Sequence, residues 1–255
     1  MTIALPARAK LNLDLALLGR RNDGFHNVRS TLQAIDLHDL ITITPSERTH
    51  LTTSGIELAN THDNSVLKAL TALEAVAKRK LPTRIHIHKR IPPGAGLGGA
   101  SSDAATALRA LGALHHLATD LPPIASRLGS DVPFFLTGGT AIAEQRGDHL
   151  TFIPTEPAWF AIAWPGVELL TPDVYRACDE TPGEPPNQLA KAAMRIEPSL
   201  QEFANALNSG PGPGWQMTGS GSAFFRHCID EDEARAITSR LTCWTAVAQA
   251  LGPWA

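Results

Sequence analysis

The residues with the clearest chemistry lie at 91–105, Ile-Pro-Pro-Gly-Ala-Gly-Leu-Gly-Gly-Ala-Ser-Ser-Asp-Ala-Ala. Gly94, Gly96, Gly98 and Gly99 permit positive φ and leave backbone N–H groups unshielded by side chains. Amides gathered this way, with a helix dipole behind them, form a concave site for an anion such as phosphate. A tight turn that needs glycine only for its geometry is the simpler alternative. Four glycines between positions 94 and 99 exceed what a turn needs. The pattern is not a P-loop, because Ala100 and Ser101 follow Gly99 where Lys-Ser or Lys-Thr is required. Gly94, Gly96 and Gly99 do satisfy G-x-G-x-x-G, and Asp120 lies about twenty residues further on. Pro122-Pro123 follows Asp120, however, so no apolar strand carries that carboxylate to a ribose.

Other candidates are weaker taken alone. Lys10, Asn12 and Asp14 share the polar face of an alternating segment, where a lysine is usually a solvated edge charge. Gly19–His26 is a polar, glycine-bounded loop of a kind that often carries binding groups, although Phe25 would suit a core equally well. Asp131, in Gly129-Ser130-Asp131-Val132-Pro133, suits a helix cap or a turn. Residues 217–225 form a second glycine loop, through Gly219 and Gly221, that a plain hairpin would also explain. His86 and His88 share a strand face, but no third histidine or cysteine stands near enough to complete a metal site. Ser65-Val66-Leu67-Lys68 matches S-x-x-K without its companion motifs and is treated as chance.

The elements that must position these groups follow from periodicity. Arg84–Ile91 alternates, with Ile85, Ile87 and Ile91 on one face and Lys89 in phase with them, so a strand leads into the glycine loop. Ala104, Leu108, Leu111 and Leu114 recur at helical spacing after it, with Ser101, Ser102 or Asp103 available as N-cap. Residues 3–18 read as one strand and Thr31–Ile43 as strand and turn. Residues 44–62 read as a hairpin arm or loop. Asp63 or Asn64 caps a helix carrying Val66, Leu70, Leu73 and Ala77 on its apolar face. Beyond Thr155-Glu156-Pro157, the best domain boundary, come a strand at 159–164, a loop at 181–187 and weak helix at 196–208. Gly210–Gly214 is a flexible stretch, a helix capped by Asp230 spans 231–241, and a last strand lies near Trp244–Leu251.

Composition narrows the class. A chain of 255 residues with a formal net charge of −3 can bury an ordinary core and has no surplus of positive charge for a polyanion. Cys178, Cys228 and Cys243 are odd in number and widely spaced, as expected of reduced thiols. The first ten residues have no apolar signal core, and no apolar run approaches membrane-spanning length, so a soluble cytoplasmic protein is expected.

The string from Pro92 to Ala105 resembles the central ATP-binding motif of the GHMP small-molecule kinases. Ala9-Lys10-Leu11-Asn12-Leu13, Gly19-Arg20-Arg21 and Asp23-Gly24-Phe25-His26 resemble the opening of the branch that acts in the non-mevalonate route to isoprenoid precursors. Phe25 replaces that branch's usual tyrosine, and Ser130 its usual alanine before the aspartate. The resemblance runs from Ala9 to Phe225 and implies an α+β, two-domain GHMP fold with its active site in the interdomain cleft. Residues 1–155 would form the ATP-binding domain and 156–255 the substrate-side domain. It further implies phosphoryl transfer from ATP to a hydroxyl of a cytidine-diphosphate-linked methylerythritol, with Asp131 as base and Lys10 as its electrostatic partner. Asn64, Lys89, Pro93, Gly94, Ala95, Gly96, Leu97, Gly98, Gly99, Ala100, Ser101 and Ser102 would meet ATP. Asn12, Phe25, His26, Tyr175, Gly219, Ser220 and Gly221 would meet the acceptor, with the cytosine between Phe25 and Tyr175. Mg²⁺ would bridge the phosphates, and Ser101, Ser102 and Asp103 are the oxygen-bearing residues near enough to be considered as its ligands. No nucleic acid or membrane partner is implied, and the subunit number is left open. Another GHMP kinase, of homoserine or mevalonate type, and a non-catalytic nucleotide-binding protein are the competing readings.

Overall fold

A computed structural model describes residues 1–57, 64–181, 183–210 and 214–254. The expected cap at Asp63 and most of the expected flexible stretch at 210–214 lie outside these residues. Two sheets organise the rest. A 7-stranded sheet contains β1 (Ile3–Asn12), β2 (Ala16–Arg20), β3 (His26–Pro45), β4 (His50–Gly55), β5 (Thr83–Lys89), β6 (Thr140–Gln145) and β7 (His149–Ile153). A 4-stranded sheet contains β8 (Trp159–Trp164), β9 (Gln216–Met217), β10 (Phe224–Cys228) and β11 (Trp244–Gln249).

The hub is β3, which pairs with β1, β2, β5 and β6. It runs through the turn expected within 31–43 as 20 continuous residues. Its buried positions change phase, from Val28, Ser30 and Leu32 to Asp39, Ile41 and Ile43, across a stretch where Gln33–Ile35 is buried on both faces. The register of β1 shifts opposite this stretch, between Arg8 and Lys10. The single strand expected over 3–18 is likewise broken. Asp14 turns its carboxylate onto β3, accepting from Thr31 N and Oγ1 at 2.8 Å each, and so replaces a rung of the ladder. Strand β4 is an edge strand parallel to β5, rather than a hairpin arm.

One face of the large sheet carries α1 (Ser65–Ala77), α2 (Gly99–Leu114), α3 (Pro122–Leu128) and α4 (Phe134–Thr137) over the largest apolar cluster. Asn64 caps α1 as expected, its Oδ1 accepting from Val66 N at 2.9 Å. The small sheet packs against α5 (Thr171–Glu180), α6 (Ala190–Ile196), α7 (Ser199–Leu207) and α8 (Glu231–Thr238). Asp230 caps α8, but the helix stops at Thr238, three residues short of the expected 241. A third cluster joins the sheets, with Leu11, Ile35, Ala95 and Leu97 against Phe160, Ile162 and Phe225. The glycine loop therefore drives two apolar side chains into the shared core. Burying leucine alone favours that placement by about 2 kcal/mol. Residues after β11 return to the large sheet, where Leu251 N bonds to Ala34 O at 2.9 Å and Trp254 packs against Gly138.

Candidate active site

The glycine loop links β5 to α2 and is held from three sides. Lys10 N donates to Leu97 O, Ala223 N to Ala95 O and Leu169 N to Gly94 O, at 3.0, 3.0 and 3.1 Å. Gly94, Gly96 and Gly98 all take positive φ, and a Cβ at each would meet a neighbour within 3 Å. At Gly96 that neighbour is the Thr218 carbonyl of the second glycine loop, at 2.3 Å. Geometry therefore accounts for these three glycines, which corrects the argument from their number. The candidate anion site rests on a different observation. Helix α2 begins at Gly99, capped by Gly98 in the left-handed conformation with no side-chain bond, so Ser101, Ser102 and Asp103 lie inside the helix rather than capping it. No side chain occupies the first-turn amides, which carry the positive end of the dipole.

A cavity of about 850 Å³ begins at this helix end and runs past Lys10 and Asp131 to His26 and Tyr175. Asn12, Phe25, Asn64, Lys89, residues 93–101, Gly219 and Ser220 also line it. Two expected contacts do not. Ser102 is buried, and Gly221 is turned toward Met217, whose Sδ would lie 2.7 Å from a Cβ there.

Lys10 is almost fully buried, against the solvated-edge reading of its position. Its ammonium donates to Asn12 Oδ1 and, at 2.5 Å, to Gly96 O, which leaves one of its three N–H bonds unassigned. Asn12 is fixed in turn, its backbone N–H donating to Thr218 Oγ1 at 2.8 Å and its amide to Ser30 Oγ at 2.6 Å. Burial lowers the Lys10 pKa, and the charge of Asp131 opposes that shift. Gly219 closes over this group, since a Cβ there would stand 3.0 Å from Lys10 Nζ. Ser220 Oγ pairs with Thr171 Oγ1 at 2.9 Å.

Lys89 serves a different purpose from a free cation. Its ammonium is buried between Asp39 and Asp103, 2.7 Å from the latter. Burial pulls the Lys89 pKa down, but the two carboxylates more than reverse it. Burial pushes the Asp103 carboxyl up to about 7, against the pull of Lys89. Asp39 also accepts from Arg90 N at 2.5 Å and Ile91 N at 2.9 Å, pinning the chain where it leaves β5. His86 and His88 bond to Ser54 and Thr52 hydroxyls, and among the described residues no group of three or more acidic, histidine or cysteine side chains could hold a metal.

At the far end Phe25 is 55% exposed, and the Arg146 guanidinium sits 5.3 Å from its ring centre. Tyr175 faces His26 at 5.3 Å, and no ring contact joins it to Phe25 among the described residues. Burial and the charge of Asp131 raise the Tyr175 pKa. His26 Nε2 lies 2.6 Å from Asp179 on α5, and Arg20 reaches the same carboxylate at 3.5 Å. Sequence reasoning missed Asp39, Arg146, Asp179 and Asn187, whose amide donates to Met217 O and Gly219 O at 2.7 and 2.9 Å. Asp39 left a signal, since it falls in phase with the buried Ile41 and Ile43. The other three left none.

Residues 64–139, which span the helix before the glycine loop and the Asp131 segment, match the GHMP kinases N terminal domain. Fold and site together define a GHMP kinase. The chain is 34% identical to the 4-diphosphocytidyl-2-C-methyl-D-erythritol kinase of Moorella thermoacetica, over 94% of each chain. It is 36% identical to the protein of that name from Thermus thermophilus, over 93% of this chain and 92% of that one. A crystal structure of 4-(cytidine 5'-diphospho)-2C-methyl-D-erythritol kinase superposes with a TM-score of 0.84 at 33% identity, covering 98% of this chain and 100% of the other. The chain belongs to the 4-diphosphocytidyl-2-C-methyl-D-erythritol kinase family.

Proposed function

We propose that this protein transfers the γ-phosphoryl group of ATP to the 2-hydroxyl of 4-diphosphocytidyl-2-C-methyl-D-erythritol, a step in isoprenoid precursor synthesis. The observation that carries the reading is one cavity joining a helix end that no side chain caps, a lysine, an aspartate and an aromatic, histidine-bearing pocket. Neither homoserine nor mevalonate carries an aromatic base that would fill the third part.

The chemistry divides among these parts. First-turn amides of α2, at Gly99, Ala100 and Ser101, hold the ATP phosphates, while Asn64 and Pro93 shape the nucleotide's side of the cavity. Lys89 acts from beneath, tying β3, β5 and α2 together through Asp39 and Asp103. Asp131 takes the proton of the attacking hydroxyl. Lys10, with one N–H bond unassigned, attracts the Asp131 carboxylate and balances charge on the group in transit. Positioning supplies most of the acceleration in such a transfer, and the rigid Lys10–Asn12–Gly96 contacts provide it. Phe25 and Tyr175 flank the cytosine, His26 reads its edge, and Gly219 and Ser220 border the acceptor.

Mg²⁺ fits this donor set. Asp103 lines the cavity and its Oδ1 is a buried oxygen with no partner among the described residues, and Mg²⁺ bound to phosphates takes only one or two protein oxygens. That oxygen would hold it, and it would neutralise charge on the phosphates. We further assign residues 1–155 and 156–255 to two domains, since the strand partners change between Ile153 and Trp159. Use of ATP and three unpaired cysteines support a cytoplasmic location. Incubation of the protein with ATP and equal amounts of the cytidine compound, mevalonate and homoserine tests the reading. Mass analysis should find phosphate on the cytidine compound. Phosphate on either of the others, with the cytidine compound untouched, defeats it.

A further inference from the structure

We propose that Asp179 is the positioning residue that gives the pocket its preference for cytosine, by holding His26 as the Nε2–H tautomer. This rests on the reading of the cavity's aromatic end as a cytidine site. Asp179 Oδ1 lies 2.6 Å from His26 Nε2, and its other oxygen is 3.5 Å from the Arg20 guanidinium. An ionised carboxylate accepts only, so the ring nitrogen between them must carry the proton. A neutral imidazole then bears its lone pair on Nδ1, which makes no hydrogen bond among the described residues. The ring cannot easily turn to exchange its two nitrogens. Its side chain is 9% exposed and Tyr175 stands 5.3 Å away at a 35° tilt.

The pocket thus offers an acceptor at the edge of whatever base lies beside Tyr175. Cytosine presents a donor amine at C4. Uracil presents a carbonyl oxygen there, so two lone pairs would face each other. Uracil can satisfy Nδ1 only through its N3–H, one ring atom along the edge, which displaces the base on its aromatic platform. Stacking alone cannot make this choice, because either base has a π face. A polar site left unpaired can, and about tenfold or more is the expected scale. Arg20, His26, Tyr175 and Asp179 come from three elements, so the sequence gives no hint of the arrangement.

Nitrogen-15 NMR at pH 8 reads the tautomer directly, and calorimetry with CDP and UDP reads the preference without requiring turnover. In the unaltered protein His26 should show a protonated Nε2 and a bare Nδ1, and CDP should bind at least tenfold more tightly than UDP. Asp179→Ala should narrow that ratio at least threefold. With the cytidine compound as acceptor, its effect should fall on KM rather than kcat. Asp179→Asn, whose Oδ1 can still accept, should restore most of the ratio. A protonated Nδ1 in the unaltered protein, an unchanged ratio in Asp179→Ala, or an equal loss for both nucleotides overturns the proposal. Failure of the unaltered protein to phosphorylate the cytidine compound would instead count against the proposed function, while the tautomer and the two affinities would still judge Asp179.

Discussion

Ala100→Asp separates the anion site from the architecture that surrounds it. Ala100 is the second residue of α2, exposed, and lines the cavity where no side chain caps the helix. A carboxylate in a helix's first turn favours the fold by about 0.3–1 kcal/mol, so the melting temperature should hold or rise. The same charge opposes a phosphate. At a separation of about 5 Å and an effective dielectric of about 20, one pair of unit charges costs roughly 3 kcal/mol, falling toward about 1 kcal/mol where water enters. Affinity for ATP should therefore fall about tenfold to a hundredfold, and the gap should narrow as salt screens the pair. Calorimetric titration with ATP at two salt concentrations, beside thermal unfolding, makes the comparison. Adenosine, which lacks phosphate, should lose far less. Undiminished ATP affinity in a folded variant would show that the phosphates do not sit on this helix end.

Gly96→Val should behave in the opposite way, unfolding the protein rather than selectively weakening ATP. Its Cβ would stand 2.3 Å from Thr218 O at a positive φ, a cost of more than about 2 kcal/mol, readable by urea denaturation. Asp103 has a folded-state pKa raised to about 7, above its unfolded value near 3.9. Its contribution is thus full below about pH 4 and is lost as pH rises through about 7. Asp103→Asn, which leaves Lys89 and Asp39 as a balanced pair, should flatten the decline in urea midpoint between pH 5 and 8, and an identical slope would contradict the shift. Phe25→Ala, at an exposed ring, should leave stability alone and weaken the cytidine compound by about tenfold or more; equal KM values would remove the ring from the acceptor site.

Local pattern revealed what one element contains, and failed where two distant elements meet. Ile85, Ile87 and Lys89 lie on one face because a strand's period is two, so burial of Lys89 could be read directly. Its partners Asp39 and Asp103 lie 50 and 14 residues away and could not. The helix cap was misread for a physical reason. Ser101, Ser102 and Asp103 have the side chains that cap helices, whereas Gly98 starts α2 through a φ of 74° that suits glycine and leaves the amides bare. Apolar alternation likewise ran unbroken through Asp14, because a side chain replacing one backbone rung does not disturb the pattern of leucines. Asp179 belongs to the same class, joined to His26 across 153 residues.

Single-turnover phosphoryl transfer by Asp131→Asn tests the central claim most directly. The substitution keeps the size of a half-buried side chain and removes its capacity to take a proton. Mixed rapidly with ATP and the cytidine compound and quenched at intervals, the variant should transfer phosphate at least a hundredfold more slowly than the unaltered protein, the usual scale for loss of a general base. Affinities for both substrates should stay within about threefold, since catalysis and binding are separable losses. A variant that retains more than about a tenth of the rate, a barrier change of only about 1.4 kcal/mol, would contradict the assignment of Asp131 as the base.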